Sequence, residues 1–365
     1  MSDSDGRLEP KAAFLAGGRP SDTRFSRPMR YHVDGDLVPA EEASVSVGDR
    51  GLLYGDGITE RLRAYGGAIF AWGAHSERIE ERCERLSIPV PDDLDERIER
   101  TLAANDLSDA RVRLSITRGG GPALTPAIDA SPTIMIAVSP APRDGRHRTS
   151  RNENEGDVNR GEGSDSDTAT DSSDDGTAAG EESESGNESE SETTPGDEPA
   201  DPNGGDRDPS LGPAVVQTVT IRRSNDPDPL AERAAAVRAR LELARAATEQ
   251  YRADEALLRD EKGYVVGGTA SDVLFVDDTA LHVPRAEPIG VLRPMVCKLA
   301  DEESIPTERG RYPPSAVREA DEAFLASAVE GLRPIATLDG IAVGDGPVRR
   351  LLAATLAERI ANGLR

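Results

Sequence analysis

Residues 48–65 read GDRGLLYGDGITERLRAY. Gly48 and the Gly55-Asp56-Gly57 run bracket an apolar Leu-Leu-Tyr, and the stretch ends in ITERLRAY. Glycine supplies positive φ and aspartate caps a following helix. ITERLRAY is therefore predicted as a short helix carrying Glu60, Arg61 and Arg63. Alone, such a stretch is turn chemistry. Its meaning depends on which blocks accompany it and in what order.

The chain has 365 residues with a formal net charge of -25, and its pI is about 4.6. So negative a chain repels phosphate backbones, which excludes a nucleic-acid binder that works through a basic groove. Lysine occurs only as Lys11, Lys262 and Lys298 among 43 basic residues. Acidic excess, scarce lysine and few aromatics suit a high-salt cytoplasm, where self-repulsion is screened. Cys83 and Cys297 form no CxxC pair, so neither a disulfide framework nor a zinc site is expected. No apolar run is long enough to span a bilayer, and MSDSDGRLEPK has no signal-peptide core. A cytoplasmic protein is expected.

Residues 1–28 lack periodicity and are expected to be a disordered extension, with Met29 a candidate start. Residues 29–140 read as a small α/β domain. RYHVDGDLVP is a hairpin about Asp34-Gly35, and GGAIFAW is a strand. HSERIEERCERL and DDLDERIERTLAAN are amphipathic helices, with Ile79, Cys83 and Leu86, then Leu94, Ile98 and Leu102, at helical spacing. ARVRLSITRG and PTIMIAVSP are strands. Residues 141–212 are nearly devoid of apolar side chains and are predicted to be a disordered acidic insertion. Residues 213–365 read as a larger α/β domain. PAVVQTVTIRR is a strand and PLAERAAAVRARLELARAATEQY a long helix. ADEALLRDEKGYVVGG and SDVLFVDDTALHVP are hairpins, and VLRPMVCKLADEESI is a helix. EADEAFLASA and LRPIATLDGIAV bring strands, and GPVRRLLAATLAERIANGL closes with a helix.

The order of these blocks resembles that of the class IV (fold-type IV) pyridoxal-phosphate enzymes. These are the branched-chain aminotransferases, D-amino-acid aminotransferases and aminodeoxychorismate lyases. The resemblance runs through GDRGLLYGDGITERLRAY, FAWGAHSERI, VRLSITRG, ADEALLRDEKGYV, GVLRPMVCKLA, ADEAFLASAVEGLRPIATLDG and VGDGPVRRLL. It implies two α/β (α+β) domains with pyridoxal phosphate between them and an amino-acid or keto-acid substrate. It also implies a homodimer, or a heterodimer with a paralogue. It places Arg78, three residues after His75, on the cofactor phosphate. It places Gly290, Val291 and Leu292 in the phosphate cup with Ser327 nearby, and Tyr54 and Arg113 at the substrate pocket. No metal is implied.

The chemistry of that family asks for a lysine imine and a carboxylate on the ring nitrogen. Counting back from Asp260, the lysine position falls on Arg233 or Ala234. An arginine stays protonated and forms no stable imine. Lys262 lies in a predicted turn and Lys298 on a predicted helix, and both are expected to face solvent. The ring carboxylate position falls on Gly267, and a following asparagine on Asp272. Two phosphate-site threonines fall on Leu292 and Ala328. Four replacements in different segments around one site predict a member that has lost its chemistry. The alternative is an active aminotransferase or lyase whose lysine is placed differently.

Overall fold

The computed structural model describes residues 28–121, 125, 131–141, 212–224, 228–247 and 252–363. The predicted N-terminal extension and acidic insertion lie almost wholly outside these residues. Two sheets organise the rest.

The first sheet is antiparallel, in the order β2-β1-β6-β5-β3-β4. Its strands are β1 (Arg30–Val33), β2 (Asp36–Pro39), β3 (Gly57–Tyr65), β4 (Ala68–Ile69), β5 (Ala110–Thr117) and β6 (Thr133–Pro140). The short helix α1 (Arg50–Tyr54) precedes β3, while α2 (Trp72–Arg85) and α3 (Leu94–Ala104) follow β4. Ile58, Leu62, Val112, Leu114, Ile116 and Ile136 pack against Ile79, Cys83, Ile98 and Leu102 from α2 and α3. Alternation along each strand sends these side chains to one face.

ITERLRAY is thus a strand and not the expected helix. It pairs with β5 in register from Gly57↔Thr117 to Ala64↔Ala110. Ile58 and Leu62 are four apart, a spacing that suits a helix face and a strand face equally. The long-range ladder decides between them. Gly57 is needed where β3 meets β5: a Cβ there would sit 2.5 Å from the Ile116 carbonyl oxygen. The helix lies one step earlier. Asp49, not Asp56, caps α1, accepting from the N–H groups of Gly51 and Leu52, and Gly55 ends it at φ 73. The predicted strand GGAIFAW is also shorter than expected. Only Ala68–Ile69 pairs, and Ala71 at φ 53 turns the chain into α2.

The second sheet runs β12-β11-β10-β13-β14-β7-β8-β9, with β15 paired to β14. Its strands are β7 (Ala214–Arg222), β8 (Glu255–Arg259), β9 (Val265–Gly267), β10 (Asp272–Val276), β11 (Leu281–Pro284), β12 (Thr307–Gly310), β13 (Glu322–Ser327), β14 (Gly331–Leu338) and β15 (Ile341–Ala342). The helices are α4 (Pro229–Ala246), α5 (Leu292–Glu302), α6 (Pro314–Arg318) and α7 (Pro347–Ala361). β7 and β8 are parallel, so α4 is the crossover that such a pair requires. It packs through Ala235 and Ala239 on Val219, Ala256 and Leu258. α5 and α7 cover one face of the sheet through Leu292, Val296, Leu299, Leu352 and Leu356. The hairpins β8–β9 and β10–β11 form as expected, whereas β12 and α6 were not foreseen. No helix among the described residues is long and apolar enough to cross a membrane.

Candidate active site

Glu60 sits on the core-facing side of β3, where a carboxylate must find partners. His75 Nδ1 lies 2.9 Å from Glu60 Oε1, and Arg78 Nε lies 3.5 Å from Glu60 Oε2. Burial works to raise the Glu60 carboxyl. The His75 hydrogen bond and the Arg78 and Arg82 charges outweigh it and hold the group below its usual range. Sequence reading left Glu60 without a role because it placed the residue on a helix.

Arg78 reaches from α2 to the turn before α5. Its Nη1 donates to the Pro288 carbonyl at 3.1 Å, and its Nη2 donates to the Ile289 carbonyl. Arg78 is therefore brought to the turn that leads into Gly290, Val291 and Leu292. The neighbouring groups differ from those of a phosphate cup. Leu292 opens α5 and is buried in one apolar cluster with Val291, Phe324, Ala326 and Ala328. Where hydroxyls were sought, there is hydrocarbon. Ser327 Oγ accepts the Glu330 N–H at 3.0 Å.

Asp272, fully buried at the start of β10, pins the same turn. It accepts the Ile289 N–H at 3.0 Å and the Gly290 N–H at 3.3 Å, and Arg293 Nη1 lies 3.3 Å away. Burial pushes the Asp272 carboxyl up, against the opposing pull of Arg293 and the two N–H groups. Gly267 stands opposite at φ 128, and a Cβ there would meet Ile289 Cδ1 at 2.6 Å. The end of the Ile289 side chain would thus have to turn aside for any side chain at 267. Glu255, also buried, accepts from the Thr269 N–H at 2.9 Å and the Ser271 hydroxyl at 2.8 Å, closing the turn that joins β9 to β10.

Of the two positions at which counting placed a lysine, Ala234 is exposed and Arg233 is half-buried. Arg233 Nη1 lies 3.5 Å from the Gly55 carbonyl oxygen. The start of α4 thus meets the end of α1, beside the stretch that decides the fold. Lys262, in the β8–β9 turn, and Lys298, on the outer face of α5, are exposed. Lys11 lies outside the described residues.

Tyr54 is exposed, with the Arg50 guanidinium 4.6 Å from its ring centroid. Arg50 and Arg118 both donate to Asp56, at 2.9 and 2.8 Å, which fixes the loop between α1 and β3. Arg113 lies on the face of its sheet turned away from α2 and α3, cross-strand from Arg61. It is not gathered with Arg78. Three further residues escaped sequence reading: Arg82, Arg223 and Glu232. Arg82 was findable, one turn after Arg78 on the same helix face. Arg223 is buried at the end of β7, donating to the Val266 and Glu287 carbonyls, both at 3.2 Å. Burial lowers its pKa, although a guanidinium remains charged.

This fold has known counterparts. A D-alanine aminotransferase of Listeria monocytogenes is 24% identical over 87% of this chain and 90% of its own length. A Methanocaldococcus jannaschii protein, named provisionally as a branched-chain-amino-acid aminotransferase, is 26% identical over 88% of this chain and 91% of its own. Among solved structures, 4-amino-4-deoxychorismate lyase from Pseudomonas aeruginosa superposes with a TM-score of 0.59 at 26% identity, over 90% of this chain and 98% of that one. The branched-chain aminotransferase of Thermoproteus uzoniensis gives 0.65 at 20% identity, over 92% and 96%. Residues 57–159 and 191–338 match the profile of the amino-transferase class IV family. The chain belongs to that family.

Proposed function

We propose that this chain is a non-catalytic class IV aminotransferase homologue, which keeps the family's fold without its imine chemistry. The observation that carries the reading is Arg233. With Ala234 it is one of the two positions at which counting from Asp260 puts the lysine, and its guanidinium lies against the Gly55 carbonyl. An imine needs an amine that can lose its proton, and a guanidinium cannot supply one.

The remaining residues fit pyridoxal phosphate poorly. In the family this group supplies an electron sink that needs a carboxylate on its ring nitrogen. Gly267 carries no carboxylate, and Ile289 crowds it. Asp272 is committed to the 289–290 turn. Leu292 and Ala328 contribute hydrocarbon. Among the described residues, both lysines are exposed, which disfavours an active enzyme with a displaced lysine.

On this reading the protein works through its fold, as a homodimer or paired with an intact paralogue, in a high-salt cytoplasm suited to its acidic surface. The test is direct. Purified protein mixed with pyridoxal phosphate should show no band at about 400–430 nm, the range expected of a lysine imine. Borohydride reduction should leave Lys11, Lys262 and Lys298 unmodified on peptide mapping. Transamination or lyase turnover that is lost on mutating one of these lysines refutes the proposal.

A further inference from the structure

His32 lies on β1 and is buried, at 1% exposure. Leu37 stands across from it on β2 and Ile136 on β6. Its imidazole reaches the tip of its own hairpin, where the Gly35 N–H donates to His32 Nε2 at 3.0 Å. A backbone amide can only donate, so Nε2 holds a lone pair and the ring proton sits on Nδ1. Nδ1 is itself buried with no hydrogen-bond acceptor. One neutral tautomer is thereby fixed.

The turn that His32 holds has Asp34 at φ 50 and Gly35 at φ 107, both in the left-handed region. A second clamp on it comes from β6. The Asp34 N–H donates to the Ile134 carbonyl at 2.9 Å, and Asp34 Oδ1 accepts the Ile134 N–H at 2.7 Å. At the other end of the hairpin Asn105, at the end of α3, accepts the Arg30 N–H at 2.7 Å and donates to the Arg30 carbonyl at 2.8 Å. Strands β1 and β2 form one end of the first sheet, so these few contacts decide whether β6 stays covered there.

We propose that His32 is a proton-operated latch on the β1–β2 hairpin, closed while the ring is neutral and open once it is protonated. Protonation turns the Nε2 acceptor into a second donor aimed at the Gly35 N–H. Two donors repel at that contact, so the tip parts from the ring. Burial opposes the imidazolium first, and the charges of Arg97 and Arg100 on α3 oppose it further. Asp34 in the turn and Asp93 before α3 pull the other way without reversing the balance, so the His32 pKa lies below the ordinary 6.5. Among the described residues these four are the charged groups facing the ring, and Leu37 and Ile136 bring none. A depressed folded pKa means that the opened state takes the proton more readily. The latch is therefore fully effective above 6.5 and fails as pH falls through the lower folded value. It does not depend on the non-catalytic reading above.

Wild-type protein labelled with ¹⁵N at histidine is titrated by NMR from pH 8 to pH 5, with His32 assigned through its own backbone amide. At pH 8 the proton is expected on Nδ1 and not on Nε2, and the titration midpoint below 6.5. Hydrogen exchange, corrected for its intrinsic pH dependence, follows residues 28–40 with residues 292–302 as reference. Protection of 28–40 should fall by about threefold or more, relative to the reference, between pH 7 and pH 5. His32→Gln keeps an amide oxygen for the Gly35 N–H but has no titrating ring, so its protection should not change over that range. The proposal is overturned if His32 carries its proton on Nε2 at pH 8, or titrates at or above 6.5. It is overturned equally if 28–40 keeps its protection in acid, or loses it as much in His32→Gln. The wild-type spectra need no variant to fold.

Discussion

Asp272→Ala removes the acceptor that holds the turn before α5. Three groups lose a partner: the Ile289 N–H at 3.0 Å, the Gly290 N–H at 3.3 Å and the Arg293 guanidinium at 3.3 Å. A buried donor left unmatched costs about 1–3 kcal/mol, and breaking a buried ion pair costs about 3–5 kcal/mol. These do not simply add. Arg293 keeps the Pro284 and Ala286 carbonyls, and burial already weakens the ionised form of Asp272. The half-buried turn can also admit water to one amide. The expected loss is therefore about 3 kcal/mol, at the lower end of the ion-pair range. Asp272→Asn keeps one acceptor oxygen and should lose about half as much. Urea unfolding of wild type and both variants, at one potassium chloride concentration so that screening is constant, gives these values. Hydrogen exchange should quicken first in the peptide covering 285–293. If Asp272→Ala unfolds within about 1 kcal/mol of wild type, the carboxylate does not pin the turn and its assignment fails.

Three further outcomes follow from the same geometry. Gly267→Ala should destabilise by about 1–3 kcal/mol, because φ 128 is strained for any side chain and Ile289 crowds the Cβ; adding Ile289→Ala should recover only the crowding part, read by thermal melting. Arg118→Ala removes two donors from Asp56 and two from the Leu86 and Ser87 carbonyls, so a loss of about 3 kcal/mol is expected in urea unfolding, and an unchanged midpoint would contradict it. For Glu60, the folded pKa is depressed. Its stabilisation is therefore complete above the ordinary value near 4.5 and is lost as pH falls through the lower folded value. The stability gap between wild type and Glu60→Gln should accordingly narrow as pH falls from about 4.5 through the lower folded pKa; a gap that widens in acid reverses the sign.

Much of the fold was legible because its signals are local. The amphipathic spacing of Ile79, Cys83 and Leu86 marks α2, and the short Asp260–Gly263 turn marks the β8–β9 hairpin through the Asp260 side chain, which accepts the Lys262 and Tyr264 N–H groups. ITERLRAY failed because its helix and strand readings differ only in what lies across from it, and its partner, β5, is about fifty residues away in sequence. The site divides the same way. Arg78 was found by its block and Arg233 by counting. Glu60, Glu232 and Arg223 act through contacts between residues 15 to more than 150 positions apart, which no local pattern encodes.

On the non-catalytic reading proposed above, the residues around this site are coupled to one another, and that coupling can be tested. Removing a lysine alone would leave arginines near one another, whose like charges repel. Each gap here is met by a neighbour from another element. Arg233 lies against Gly55, Ile289 crowds Gly267, Leu292 joins Ala328 in one apolar cluster, and Glu232 bridges Arg78 and Arg82. It follows that restoring the lysine by itself should not restore chemistry. Arg233→Lys would gain the amine, but Ile289 would still crowd Gly267 and Glu232 would still bridge Arg78 and Arg82. The single variant should show no lysine-imine band at about 400–430 nm with pyridoxal phosphate. A stable imine band from that change alone would mean that the site had lost one residue, and had not been rebuilt around its absence.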